Sequence, residues 1–205
     1  MQEKKLEVKN KALISYVLTF YLILLDFIKR EIYIFSLLPG RVFNNFMSFE
    51  ADEFWMRRAI EAAEEAGNFN EVPIGACLIN EAGELLAVAG NRTITDKDPT
   101  AHAEILVLRE AARKIGNYRL TETCLYTTIE PCAMCAGALV NARVKRLVFG
   151  ALDERFGAVE TIFRICDNSS LNHKIEIASG ILRDECRQLV QDFFRQKRLE
   201  KKSDF

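Results

Sequence analysis

A chain of 205 residues, 49% hydrophobic and 28% charged, is an ordinary globular chain with enough apolar material for one well-buried core. Its 28 basic and 29 acidic side chains leave a formal net charge of −1, which excludes a surface coated in positive charge, so any nucleic-acid contact must rest on a local basic patch. Six irregularly spaced cysteines (Cys77, Cys124, Cys132, Cys135, Cys166 and Cys186) in a chain too large to need staples favour reduced thiols and metal ligation over a disulfide framework, and with them a reducing cytoplasm.

The first 46 residues differ in composition from the rest. Residues 12–25 (ALISYVLTFYLILL) are uncharged but short for a bilayer, and Asp26, Lys29, Arg30 and Glu31 break the apolar character immediately after them. Lys4, Lys5, Lys9 and Lys11 ahead of this run mimic a signal peptide, yet no small-x-small cleavage site precedes Pro39-Gly40. The expectation is that 1–46 is an extension, dispensable or read from a mis-assigned start, and that 47–205 is the working domain; a membrane-associating helix and a targeting segment are the alternatives. No stable membrane association is expected.

From Glu53 the periodicities become regular. Met56, Ala59, Ile60 and Ala63 fall at helical spacing, and Gly67 is a suitable C′ residue to end that helix. Residues 74–79 and 85–89 read as antiparallel strands joined through a Gly-containing connection. Thr100 can N-cap a helix whose apolar stripe is Ala101, Ile105, Leu108 and Ala112, stopping near Gly116. A β-rich run at 124–129 leads to Pro131, which suits the N1 position of a helix carrying Cys132, Met134, Cys135 and Leu139. A strand at 146–149, a short strand at 175–177 and a closing helix from 181 to about 198 complete the pattern. This alternation predicts an α/β fold, a three-layer α/β/α sandwich around a mixed five-stranded sheet that is parallel where helices cross over.

Chemistry concentrates in His102-Ala103-Glu104 and Pro131-Cys132-Ala133-Met134-Cys135, each at the start of a helix that comes after a strand or its loop, where α/β proteins build their sites. Cys132 and Cys135 share one helix face, and the helix terminus together with a metal favours their thiolates. With His102 they make three zinc ligands and leave a fourth tetrahedral position for water, the pattern of a catalytic zinc. Glu104 is then the group to move protons from water to a ring nitrogen and a leaving amine. Positions i and i+2 do not share a helix face, so His102 and Glu104 converge only if both project beyond the first turn. Either motif alone has a bland explanation, but H-x-E followed by P-C-x-x-C is a zinc deaminase signature.

On these residues, and on Glu71-Val72-Pro73-Ile74-Gly75-Ala76, Asn91-Arg92, Asp98-Pro99-Thr100-Ala101, Asn117-Tyr118-Arg119-Leu120, Val148-Phe149-Gly150-Ala151, Asn172-His173 and Asp192-Phe193-Phe194-Arg195, the chain from Phe54 to about Arg198 resembles the bacterial tRNA adenosine deaminases (the TadA family) of the cytidine deaminase-like superfamily. The resemblance implies zinc ligation by His102, Cys132 and Cys135 (one Zn2+ per subunit), proton shuttling by Glu104, base contact by Asn91, and a homodimer that converts the wobble adenosine in the anticodon loop of tRNA-Arg to inosine. Arg155 stands where the family usually has lysine, and residues 1–46 match nothing in it. Asp153, on the loop after the strand at 146–149, is placed to accept a hydrogen bond from a ribose hydroxyl, with a solvated turn acid as the plain alternative. In the last helix Arg195, Lys197, Arg198, Lys201 and Lys202 cluster beside Phe193 and Phe194, so Phe193 and Arg195 are candidate RNA contacts or, alternatively, a core anchor and a solvated end. Two other functions fit the same zinc motifs: a deaminase of free bases or nucleotides, and a catalytically silent RNA-binding or structural zinc module.

Overall fold

The computed structural model describes residues 40–203. The chain divides into two compact units, residues 1–49 and 50–205, and the second carries the fold. The expectations for residues 1–39 lie outside the described residues. Among the described residues no helix is long and apolar enough to cross a membrane.

Helix α1 runs from Gly40 to Asn68. No proline or glycine interrupts the sequence between 41 and 66, so the helix begins well before the periodic stretch, and it also runs through Gly67, the residue expected to end it. The left-handed residue after it is Asn70, at φ 66°, and the amide of Glu71 closes back on the Ala66 carbonyl. Strands β1 (Gly75–Asn80) and β2 (Leu85–Gly90) form the expected hairpin, with a register shift between Leu78 and Ile79. Helix α2 (Ala103–Ile115), strand β3 (Thr123–Ile129), helix α3 (Ala133–Ala142), strands β4 (Arg146–Ala151) and β5 (Glu176–Ser179) and helix α4 (Arg183–Ser203) complete the chain order.

The five strands form one mixed sheet in the order β2-β1-β3-β4-β5. The β1/β2 and β1/β3 pairs are antiparallel, and β3/β4 and β4/β5 are parallel. Alternation along the strands divides the interior in two. Ala76, Leu78, Leu125, Leu147 and Phe149 pack with Ala103, Val107, Leu139 and Val140 of α2 and α3. Cys77, Ile79, Tyr126 and Val148 face the other way, onto Met56, Ala59 and Ile60 of α1, Ile181 just before α4 and Cys186 in its first turn. The three-layer sandwich expected from the sequence is therefore the fold.

Two contacts hold α1 on its face. Gly75 and Gly90 are register partners, and a Cβ on either would fall on a backbone carbonyl of α1, that of Ala59 or Ala62. The helix backbone thus rests directly on the hairpin, which only glycine at both positions permits. Asp52, 5% exposed, accepts from both Nη atoms of Arg146 at 2.6 and 2.8 Å and from the Tyr126 hydroxyl at 2.9 Å. A bidentate pair this deep would be costly if either partner were lost. All three acceptor contacts fix α1 to β3 and β4.

The pairing directions bring the carboxyl ends of β2, β3 and β4 to one end of the sheet. Asn91, Glu130 and the loop after Ala151 leave the sheet there, and α2 and α3 begin beside them.

Candidate active site

His102 is the N-cap of α2, with extended backbone angles (φ −73°, ψ 149°), and Glu104 is the second residue of the helix proper. Thr100, expected as the cap, lies two residues too early: Asp98 Oδ1 takes both its amide (2.8 Å) and its hydroxyl (2.7 Å), forming a separate turn. Because His102 lies outside the helix, the angular spacing that separates i from i+2 does not bind it. Its imidazole and the Glu104 carboxyl can therefore point the same way.

Pro131 likewise falls two residues short of its expected N1 position, which Ala133 takes. Cys132 is the N-cap of α3 (φ −71°, ψ 173°), its carbonyl accepts the first helical bond from Ala136, and the Pro131 carbonyl instead accepts from Ala158. Cys135 is buried in the first turn and Cys132 is half-buried. All six cysteines are unpaired.

The three predicted ligands converge. His102 Nδ1 lies 3.7 Å from Cys132 Sγ and 3.6 Å from Cys135 Sγ, and the two sulfurs are 3.7 Å apart. A tetrahedral zinc at ordinary bond lengths needs about 3.8 Å between two sulfur ligands and about 3.6 Å between sulfur and nitrogen. The cluster therefore fits a zinc ion without rearrangement, and its donor set of one imidazole and two thiolates is one zinc favours. The hydrogen bond with Cys135 holds the Cys132 thiol down to about 4, with burial opposing it and His102 assisting; the hydrogen bond with Cys132 and then burial push Cys135 up. The hydrogen bond to Cys132 raises His102.

Glu104, 3% exposed, lies against this cluster through a hydrogen bond with Cys135. Burial pushes its carboxyl above the usual range, while its own backbone amide and His102 pull it back only in part. A carboxyl that holds its proton more tightly than a free one suits general acid and base work near neutral pH.

Asn91, 5% exposed, comes directly after β2, and its Oδ1 accepts the Ala103 amide at 2.9 Å. This contact satisfies a free N–H of the α2 terminus and ties the hairpin end to the His102 turn. Asp153 lies on the loop after β4, where its Oδ1 accepts the amides of Arg155 (2.9 Å) and Phe156 (3.2 Å). Phe193 and Arg195 are elsewhere, on α4 in the opposite layer. The Phe193 ring meets Phe194 edge-on at 5.4 Å and lies under Lys197, and Arg195 pairs with Asp192 at 2.5 Å. These contacts are all within α4 itself.

Two buried acids that sequence reasoning did not single out hold the loops around the site. Glu71 accepts the Ile94 and Thr95 amides at 2.9 and 2.7 Å and the Thr93 hydroxyl at 3.0 Å, clamping the loop between Asn91 and His102. Glu130 does the same for the loop after β4. Its Oε1 accepts the amides of Val159, Glu160 and Thr161 at 3.0, 2.7 and 3.0 Å, and its Oε2 accepts the Asp153 amide and the Thr161 hydroxyl, both at 3.1 Å. Burial opposes both charges, but the converging donors prevail and hold both carboxyls below their usual range. The available signal was an acid in an otherwise apolar setting, Glu71 before Val72-Pro73-Ile74 and Glu130 between Ile129 and Pro131.

The MafB19-like deaminase family matches residues 50–198. A tRNA-specific adenosine deaminase from Haemophilus influenzae is 47% identical over 153 residues, covering 75% of this chain and 88% of the relative. One from Bacillus subtilis is 43% identical over 152 residues, covering 74% and 94%. A solved structure from studies of A-to-I editing by tRNA:A34 deaminases at the wobble position of transfer RNA superposes with a TM-score of 0.64 and 42% identity, over 66% of this chain and 98% of that one.

Proposed function

Because this chain belongs to the tRNA-specific adenosine deaminases and to the wider MafB19-like deaminase family, we propose that it hydrolyses the wobble adenosine of a tRNA anticodon to inosine, releasing ammonia. The observation that carries this reading is the convergence of His102, Cys132 and Cys135 at zinc-ligand spacing beside the buried acid Glu104.

In this reading the three ligands hold one Zn2+ per subunit. When bound, the zinc supplies Lewis acidity that makes water a usable nucleophile at neutral pH. Glu104 takes one proton from the attacking water and passes it to the ring nitrogen beside C6, then takes the second proton from the new hydroxyl on C6 and gives it to the amine, which leaves as ammonia while the C6 carbonyl forms. Asn91 has Oδ1 committed to Ala103, so its Nδ2 is the group it offers to the base. Asp153 offers a ribose hydroxyl its remaining oxygen. Phe193 and Arg195, with the basic end of α4, contact the RNA away from the reacting base. The homodimer and the choice of tRNA-Arg rest on the family resemblance. The cytoplasmic location is supported by six unpaired cysteines, and residues 1–46 are dispensable.

The test is to incubate the purified protein with a synthetic anticodon stem-loop and, separately, with free adenosine, cytidine and guanine, and to identify the products. Inosine at the wobble position of the stem-loop is expected. Glu104→Gln should keep its zinc and RNA affinity while slowing inosine formation by about 10⁴-fold, the upper end for a general acid–base group. Deamination of free guanine or cytidine with an untouched stem-loop would overturn the reading. Retained turnover in Glu104→Gln would place the proton shuttle elsewhere.

A further inference from the structure

The turn at residues 153–157 on the loop after β4 is held more firmly than its surface position requires, and it displays one large aromatic, Phe156. Asp153 Oδ1 caps the turn on one side of Phe156 by taking the Phe156 amide itself. On the other side, Gly157 donates to the Asp153 carbonyl at 3.0 Å, accepts from Ile162, and forms a β-bridge with Cys132. Gly157 has no room for a side chain: a Cβ there would collide with Thr161 Oγ1, Glu130 Oε2 and the Asp153 carbonyl. The backbone is thus pinned on both sides of Phe156, one residue from a segment paired with a metal ligand. Yet the Phe156 side chain is 68% exposed.

We infer that Phe156 is a stacking platform for a base of the RNA that flanks the reacting adenosine, a role that rests on the deaminase reading above. A single-stranded loop presents unstacked bases, each with an apolar face that pairs with an aromatic ring regardless of sequence. Phe156 projects from the same turn as Asp153, the residue assigned to ribose, so a nucleotide adjoining the target passes beside it. The immobilised backbone and the two side-chain torsions of phenylalanine keep the ordering cost of such a contact small.

The test uses the full chain loaded with zinc and an anticodon stem-loop carrying 2-aminopurine in place of the base on either side of the target adenosine. In the wild type the fluorescence of one of these probes is expected to be quenched on binding. Phe156→Ala should relieve that quenching, weaken stem-loop binding about 10-fold, and place the loss in KM rather than kcat. Phe156→Trp should restore both quenching and affinity. Because Phe156 is exposed, the alanine variant keeps its fold and metal content. Unchanged affinity in Phe156→Ala, or a loss that tracks a change in self-association by sedimentation, overturns the inference. A wild-type protein that makes no inosine from the stem-loop overturns the underlying reading instead.

Discussion

Replacing Glu130 by glutamine preserves the shape of the side chain while removing its charge and one of its two acceptor oxygens. In the folded protein Oε1 takes three backbone amides, and Oε2 takes the Asp153 amide and the Thr161 hydroxyl. The best orientation for the new amide keeps its oxygen toward the three amides. Its NH2 then faces the Asp153 N–H, donor against donor. One charge-assisted bond is lost outright, worth about 2 kcal/mol, and three others become neutral bonds, while relief of the buried charge returns part of that loss. The expected destabilisation is about 3 kcal/mol, a fall in Tm of roughly 6–12 °C for a domain of this size. Urea denaturation should show a lower midpoint with an unchanged slope. The pH dependence has a definite sign. The folded carboxyl lies below its unfolded value, so its contribution is full above about pH 4.3 and is lost as pH falls through the folded pKa. The gap between wild type and Glu130→Gln should therefore close in acid. A destabilisation under about 1 kcal/mol, or a gap that persists at low pH, would refute the reasoning.

Cys135→Ala should purify with little zinc, because two protein ligands remain, and metal analysis beside Glu104→Gln separates ligand from proton shuttle. A chain beginning at Met47 keeps Asp52, Met56, Ala59, Ile60, Ala62, Ala63 and Ala66 of α1, so it should fold and deaminate within about twofold of the full chain; loss of folding or of inosine formation would show that the extension is needed. Replacing Arg195 and Arg198 together by alanine removes two exposed charges without disturbing the core. Stem-loop affinity should fall, and its slope against log salt should flatten by roughly 1.4 if both meet phosphates. An unchanged slope would remove α4 from the RNA contact.

Periodicity was enough to read the sandwich because each strand alternates between two apolar layers, as Leu147 and Phe149 do against Val148. The chemistry was legible for a different reason: zinc ligation restricts residue type and spacing, so His102, Cys132 and Cys135 stand out in one dimension. The helix starts were less accurate, because the caps are settled by competition. Asp98 captures Thr100 and leaves the cap of α2 to His102, while the extended Cys132 pushes Pro131 out of α3. The roles of Glu71 and Glu130 depend on amides more than 20 residues away, and no local pattern reports such partners. Phe193 was expected near the RNA from its basic neighbours and the family resemblance, and its ring meets Phe194 and Lys197 of the same helix.

The anchor between Asp52 and Arg146 spans 94 positions of the chain. A ribosome adding roughly 5–20 residues each second needs about 5–19 s to deliver Arg146 after Asp52. For most of that interval α1 has been made but its sheet is incomplete. The helix is suited to the wait: its inner face is largely Ala59, Ala62, Ala63 and Ala66, which leave little sticky surface while unpartnered, and Asp52 stays hydrated until β4 emerges. A bulkier inner face would pack more tightly in the finished protein and would aggregate more readily while the chain is still being made.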